Sequence, residues 1–236
     1  MKLLKPREIG TGILVEYDAG HVSSKTNQHI IKEITNKSPN SNETIMMYAV
    51  LQKAGVENRN GRVYPRDILQ REVEKYQTLI GQGRALSELN HPESSLVDLE
   101  RSSHRIVETF WEGDILMGKL EILTSPGFTS SGTISCVGDI AANLLRHGVT
   151  LGISSRGVGS IKQKGNQNIV QDDFELICFD LVSSPSTPGA YLFTDVNERE
   201  QYEESIEEER EKNLPKSNDS LEGSLDLMKK LNTYLS

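Results

Sequence analysis

Residues 174–183, Phe-Glu-Leu-Ile-Cys-Phe-Asp-Leu-Val-Ser, form the most apolar strand-like run in the chain. Side chains alternate across a strand, so Ile177, Phe179 and Leu181 share one face and Cys178, Asp180 and Val182 the other. Asp180 is the awkward member of this run. On a solvated face its carboxylate is unremarkable, whereas on a buried face it requires a partner, and an imidazole would serve.

Other segments supply the rest of a sheet. Residues 13–17 read as a short strand, and residues 45–53 alternate with Ile45, Met47, Ala49 and Leu51 on one face. Residues 85–90 form a strand leading into His91. Residues 103–123 read as a hairpin turning at Glu112-Gly113-Asp114. The spacing of Leu69, Val73, Tyr76 and Ile80 predicts a helix of about four turns that starts at Pro65 and ends at Gly81 and Gly83. A second helix is predicted over Val137–His147, stopped by Gly148. Ser125–Gly132 reads as a loop, residues 149–162 as strand around a Ser-Ser-Arg-Gly turn, and Ser184–Gly189 as a proline-containing loop. The pattern predicts an α+β domain with a mainly antiparallel, barrel-like sheet.

The chain has 236 residues and a net charge of −8. Residues 196–236 hold eleven acids against six bases, so the body is close to neutral. No basic stripe suggests nucleic acid as a partner. No run approaches the ~20 apolar residues of a membrane span, and the first residues lack the apolar core of a signal peptide. The expectation is a soluble protein made in a cytoplasm. Cys136 and Cys178 are too few for a disulfide scaffold and are expected to be buried and reduced. Residues 1–195 are expected to form the main domain, with a polar insertion at 18–43. Residues 196–236 are expected to form an acidic, partly helical tail.

Two segments carry candidate chemistry: Glu88-Leu89-Asn90-His91-Pro92-Glu93, and Gly152-Ile153-Ser154-Ser155-Arg156-Gly157-Val158-Gly159-Ser160. A serine becomes a nucleophile when a nearby base takes its proton, and imidazole does so near neutral pH. Ser154 and Ser155 would face opposite ways on a strand, so one of them at most serves. A third group should orient the imidazole. Asp180 is available, and no histidine lies beyond Ser154, which leaves His104 as the best-placed second histidine. Taken singly, a Ser-rich turn and a histidine before proline are more often structural. Gly157-Val158-Gly159 is too short for a dinucleotide fingerprint, and no phosphate-binding loop of the Gly-Lys-Ser/Thr type occurs. Glu88, His91 and Glu93 do not converge as metal ligands from a strand end followed by proline. No metal and no cofactor is expected.

These two segments, with Asn58-Arg59-Asn60-Gly61-Arg62-Val63-Tyr64-Pro65, resemble the prohead core protein proteases of tailed myophages. The resemblance spans about residues 45–195. It implies a herpesvirus-assemblin-like β-barrel with surrounding helices, and a serine endopeptidase inside the immature capsid in the host cytoplasm. Such enzymes cleave scaffolding core proteins, the major capsid protein and themselves, with a preference for Glu before the scissile bond. By the same resemblance His91 is the general base, Ser154 the nucleophile and Asp180 the third member. Backbone N–H groups of Ser155, Arg156 and Gly157, or of the Ser186–Gly189 loop, are the oxyanion candidates. The Arg156 side chain is a candidate for binding the Glu, residence in a capsid core implies self-association, and the acidic tail is a candidate for removal. The rival readings are a catalytically inactive core protein and an anion-binding module.

Overall fold

The computed structural model describes residues 12–15 and 44–195. The polar insertion and the acidic tail expected from the sequence lie outside the described residues. In chain order the strands are β1 (Gly12–Val15), β2 (Ile45–Lys53), β3 (Arg62–Val63), β4 (Leu86–Glu88), β5 (Ser102–Glu112), β6 (Ile115–Ile122), β7 (Gly152–Gly159), β8 (Ile161–Lys164), β9 (Gln167–Val170), β10 (Glu175–Val182) and β11 (Leu192–Phe193). The α-helices are α1 (Arg66–Gly81), α2 (Pro126–Ser131) and α3 (Val137–Arg146).

Hydrogen bonding arranges the strands in three sheets, ordered β1-β7-β10, β11-β2-β6-β5-β4 and β3-β9-β8. All pairs are antiparallel except β3 with β9. The barrel expected from the sequence is therefore not a closed one among the described residues. Among the described residues, no strand ladder joins the first two sheets, and isolated bridges link Leu89 to Leu181 and Gly152 to Tyr191. Strand β11 has two residues, and the strand character of β4 gives out at the Leu89 bridge, so neither edge carries a continuous ladder. The result is a mixed α/β chain, mostly strands, with few helices.

One apolar core lies where these sheets face each other. Met47, Ala49 and Leu51 of β2, Leu116 and Leu120 of β6, Ile153 of β7 and Phe179 and Leu181 of β10 meet there. Helix α1 delivers Val73 and Tyr76 to it, and the Tyr76 ring meets Phe179 edge-on with centroids 5.4 Å apart. Pro65 caps α1 rather than occupying its first turn. Helix α3 packs tightly enough that a Cβ on Gly138 would lie 1.8 Å from the Leu123 carbonyl oxygen.

Two local expectations are corrected. Ser125–Gly132 is a short helix, not a loop. Ser125 Oγ accepts from the Phe128 amide, Pro126 opens the first turn, and Gly132 closes it at φ 74°. These start and stop signals outweigh a composition that reads as loop. The Ser-Ser-Arg-Gly segment is not a turn but the middle of β7, buried throughout. Its glycines are there for close approach: a Cβ on Gly157 would lie 2.3 Å from Phe174 Cε2, and one on Gly152 2.6 Å from Pro185. The cysteines also divide, since Cys178 is buried but Cys136 is exposed.

Candidate active site

The site is built where the end of β4 crosses onto β10. After Glu88 the chain leaves the five-stranded sheet, Leu89 bridges Leu181 in parallel, and the Asn90 amide donates to the Leu181 carbonyl at 2.8 Å. Asn90 then takes a left-handed conformation, φ 69°, the only non-glycine to do so among the described residues. Asparagine tolerates that region better than other side chains. The reversal sets His91 beside the end of β10.

His91 Nδ1 lies 2.7 Å from Asp180 Oδ2. A carboxylate only accepts, so the ring proton sits on Nδ1, and Nε2 is the nitrogen able to receive one. Asp180 is fully buried. Its Oδ1 accepts from the Glu88 amide at 3.0 Å and from Arg156 Nη2 at 3.2 Å. Burial alone would raise its pKa. The His91 hydrogen bond and charge, the Arg156 guanidinium and the Glu88 amide outweigh that and hold it below the usual carboxylate range. The open question from the sequence is answered: the Asp180 face is buried, and the carboxylate has its partners.

Ser154 is the direct cross-strand partner of Asp180 in the β7–β10 ladder. Directly paired residues project to the same face. A bulge at Ile177, between Leu176 and Cys178, sets this parity. It aligns Cys178 and Asp180 with Arg156 and Ser154. Ser154 Oγ is buried and has no hydrogen-bond partner. An unsatisfied buried hydroxyl costs about 1–3 kcal/mol, and a role in chemistry is one reason a protein keeps one. Serine and histidine are thus each anchored to Asp180, one by strand register and one by a hydrogen bond. Ser154 Oγ makes no hydrogen bond to His91 in this structure.

The other candidates lie differently. Ser155 faces away from Asp180, and its Oγ accepts from Gln52 Nε2 at 3.1 Å. Gln52 in turn accepts from Thr187 Oγ1 at 2.7 Å. A bulge in β2 at Leu51 turns Gln52 toward Ser155. Gly157 matches Leu14 of β1, and Arg156 matches Cys178 of β10. The Arg156 side chain is wholly buried, and its guanidinium donates to Glu88 Oε1 at 2.8 Å, to Asp180 and to the carbonyls of Ser94 and Leu96. It points into the protein, so the expectation that it binds a substrate glutamate is corrected. His104 Nε2 donates to the Phe179 carbonyl and its Nδ1 accepts from Ser103 Oγ, so the ring is not bonded to His91.

Sequence reasoning passed over two groups that matter here. Glu88 is fully buried against Arg156 and Arg101, although the motif containing it suggested only an unconvincing metal ligand. Cys178 donates its thiol to Asp180 Oδ1 at 3.2 Å. Burial and the Asp180 charge push that thiol up, so it stays protonated. The available signal was the alternation that places Cys178 on the Asp180 face.

The chain is 34% identical over 148 residues to the prohead core protein protease of Enterobacteria phage T4, covering 61% of this chain and 65% of that protein. The match thus spans slightly less than two thirds of the relative's length. The solved structure of the bacteriophage T4 capsid assembly protease superposes with a TM-score of 0.59 at 25% identity, covering 74% of this chain and 99% of the other. A family model described as prohead core protein serine protease matches residues 16–201. With that match over most of its length, the chain belongs to the prohead core protein serine protease family.

Proposed function

We propose that this protein is a serine endopeptidase that acts inside the phage prohead during capsid maturation, with Ser154 as nucleophile, His91 as general base and Asp180 as the orienting acid. The observation that carries the reading is the buried, unpartnered Ser154 Oγ in cross-strand register with the carboxylate that holds His91. His91 Nε2 takes the Oγ proton as the oxygen attacks a peptide carbonyl. The imidazolium, steadied by Asp180, then gives that proton to the departing amine. Water repeats the sequence on the acyl-serine and releases the acid.

The oxyanion donor follows from strand parity. The Ile153 amide donates to the Ala190 carbonyl, so the Ser155 amide projects from the same edge of β7. Gly157 on that edge is matched to β1, and the Arg156 amide points the other way toward β10. Ser155 N–H is therefore our choice, a donor of a kind worth about 2.7–4 kcal/mol in a transition state.

The substrates in this reading are the scaffolding core proteins, the major capsid protein and the protease itself, cleaved after Glu. The cation that would bind that Glu is not Arg156. Residues 1–195 form the protease domain and residues 196–236 a tail removed during maturation. Membership of the prohead core protease family supports these partners, the capsid interior as the site of action, and self-association there. The rival, an inactive core protein, gives no reason for His91, Ser154 and Asp180 to be retained in this register.

Co-expression with the cognate core and capsid proteins tests the proposal by intact mass. Wild type should shorten its partners and itself at bonds following Glu, and Ser154→Ala should leave all chains whole. Whole chains in both samples, under conditions where proheads assemble, would move the structural-core reading to first place.

A further inference from the structure

We propose that Glu88 and Arg156 form a buried charge couple that sets how tightly His91 holds a proton, each acting in the opposite sense to the other. The inference rests on the His91–Asp180 pair being the base of the proposed peptidase.

The geometry gives Arg156 a direct grip on the atom His91 uses. Arg156 Nε lies 2.9 Å from Asp180 Oδ2, the oxygen that is 2.7 Å from His91 Nδ1. A full positive charge on that oxygen weakens its attraction for an imidazolium. Glu88 counters from the other side. Its Oε1 lies 2.8 Å from Arg156 Nη2, and its own amide bonds Asp180 Oδ1. All three charged groups are wholly buried, so solvent does little to screen them. Arg101 reaches Glu88 Oε2 at 3.2 Å, but its side chain is 48% exposed and its charge is correspondingly damped.

The remaining groups around Asp180 are neutral. Tyr76 faces it from α1, with a hydroxyl pushed up by burial. His104 faces it from β5, with a ring held down to about 4 by burial. Cys178, on β10 itself, is a protonated thiol. Glu93 and Asp98, in the segment after His91, are exposed, and the Asp98 amide donates to Glu88. The charge felt by His91 from the interior is thus set by Asp180, Arg156 and Glu88. A buried ion pair is often no more stabilising than apolar residues of the same volume. Stability alone therefore gives little reason for a second carboxylate behind the first.

The experiment is an NMR titration of the His91 ring in the full chain carrying Ser154→Ala, which prevents self-cleavage. Glu88→Gln should lower the midpoint by about one pH unit, and Arg156→Gln should raise it by a similar amount. The double variant Glu88→Gln/Arg156→Gln should return it to within a few tenths of the starting value. Midpoints that move the same way in both single variants, or a Glu88→Gln midpoint that stays in place, would overturn the proposal. If Arg156→Gln does not fold, Glu88→Gln and the double variant carry the test, since the double keeps the net buried charge of the wild type. The titration needs no peptide cleavage. Opposed shifts in a chain inert toward every capsid substrate would support the couple and refute the peptidase. Cleavage without opposed shifts would do the reverse.

Discussion

Ser154 and Asp180 are direct cross-strand partners on β7 and β10, and this single register pair sets Ser154 beside the carboxylate that bonds His91. The arrangement hangs on one extra residue. Without the bulge at Ile177, β10 would present its alternate residues to β7, and Asp180 would turn to the opposite face from Ser154.

The two adjacent serines should separate cleanly. Ser154→Ala should abolish cleavage and raise the urea midpoint, because it removes a buried hydroxyl that has no partner. Ser155→Ala should keep cleavage and lose about 1 kcal/mol with the Gln52 hydrogen bond. Cleavage assays and urea denaturation on both variants check this, and a swap of phenotypes would reverse the assignment.

Asp180→Asn should reduce kcat by roughly 10³–10⁴-fold, because an amide no longer fixes the His91 tautomer or steadies the imidazolium. It should also destabilise the fold by roughly 3 kcal/mol, since Arg156 loses a buried counter-charge. The sign with pH follows from the lowered native pKa of Asp180. Its contribution is present above the unfolded carboxyl value and is lost as pH falls through the native one. Denaturant midpoints for wild type should therefore fall below about pH 4, and less steeply in Asp180→Asn.

His104 gives a second pH window. Burial holds its native pKa down to about 4 from the ordinary histidine value of about 6.5. Burial keeps the ring neutral, with Nδ1 accepting from Ser103 Oγ, although the bond to the Phe179 carbonyl favours the charged form. Its contribution is full above about pH 6.5 and is lost as pH falls toward about 4, with roughly 3 kcal/mol at stake. His104→Gln, which cannot titrate, should flatten the stability curve across that interval. An unchanged slope would show that His104 is not neutral and buried in solution.

Gly157→Ala should destabilise by about 1–3 kcal/mol, because its Cβ would fall 2.3 Å from Phe174 Cε2 and 2.7 Å from the Glu175 carbonyl oxygen. Partial rescue by Phe174→Leu, read by thermal denaturation, would place the strain at that contact.

Local patterns made much of this molecule legible in the sequence. Alternation located β2, the β5–β6 hairpin and β10, and an i, i+4, i+7 stripe located α1. The residue types of the site were also visible, as a serine among glycines, a histidine before proline and an acid in an apolar strand. What brings them together was not visible. The left-handed turn at Asn90, the single Leu89–Leu181 bridge and the bulge at Ile177 are set by packing between segments far apart in sequence. Arg156 shows the same limit. Its place beside the nucleophile suggested a substrate contact, yet only the position of Glu88, 68 residues earlier, decides that the guanidinium turns inward.

The most direct test of the central claim is covalent labelling. Wild type, His91→Ala and Asp180→Asn would be treated with a fluorophosphonate at pH 8, and the modified residue located by peptide mass spectrometry. Wild type should carry a single adduct on Ser154, formed at least about 10²-fold more slowly in both variants. An adduct on Ser155, or Ser154 labelling at equal rates in all three proteins, would contradict it.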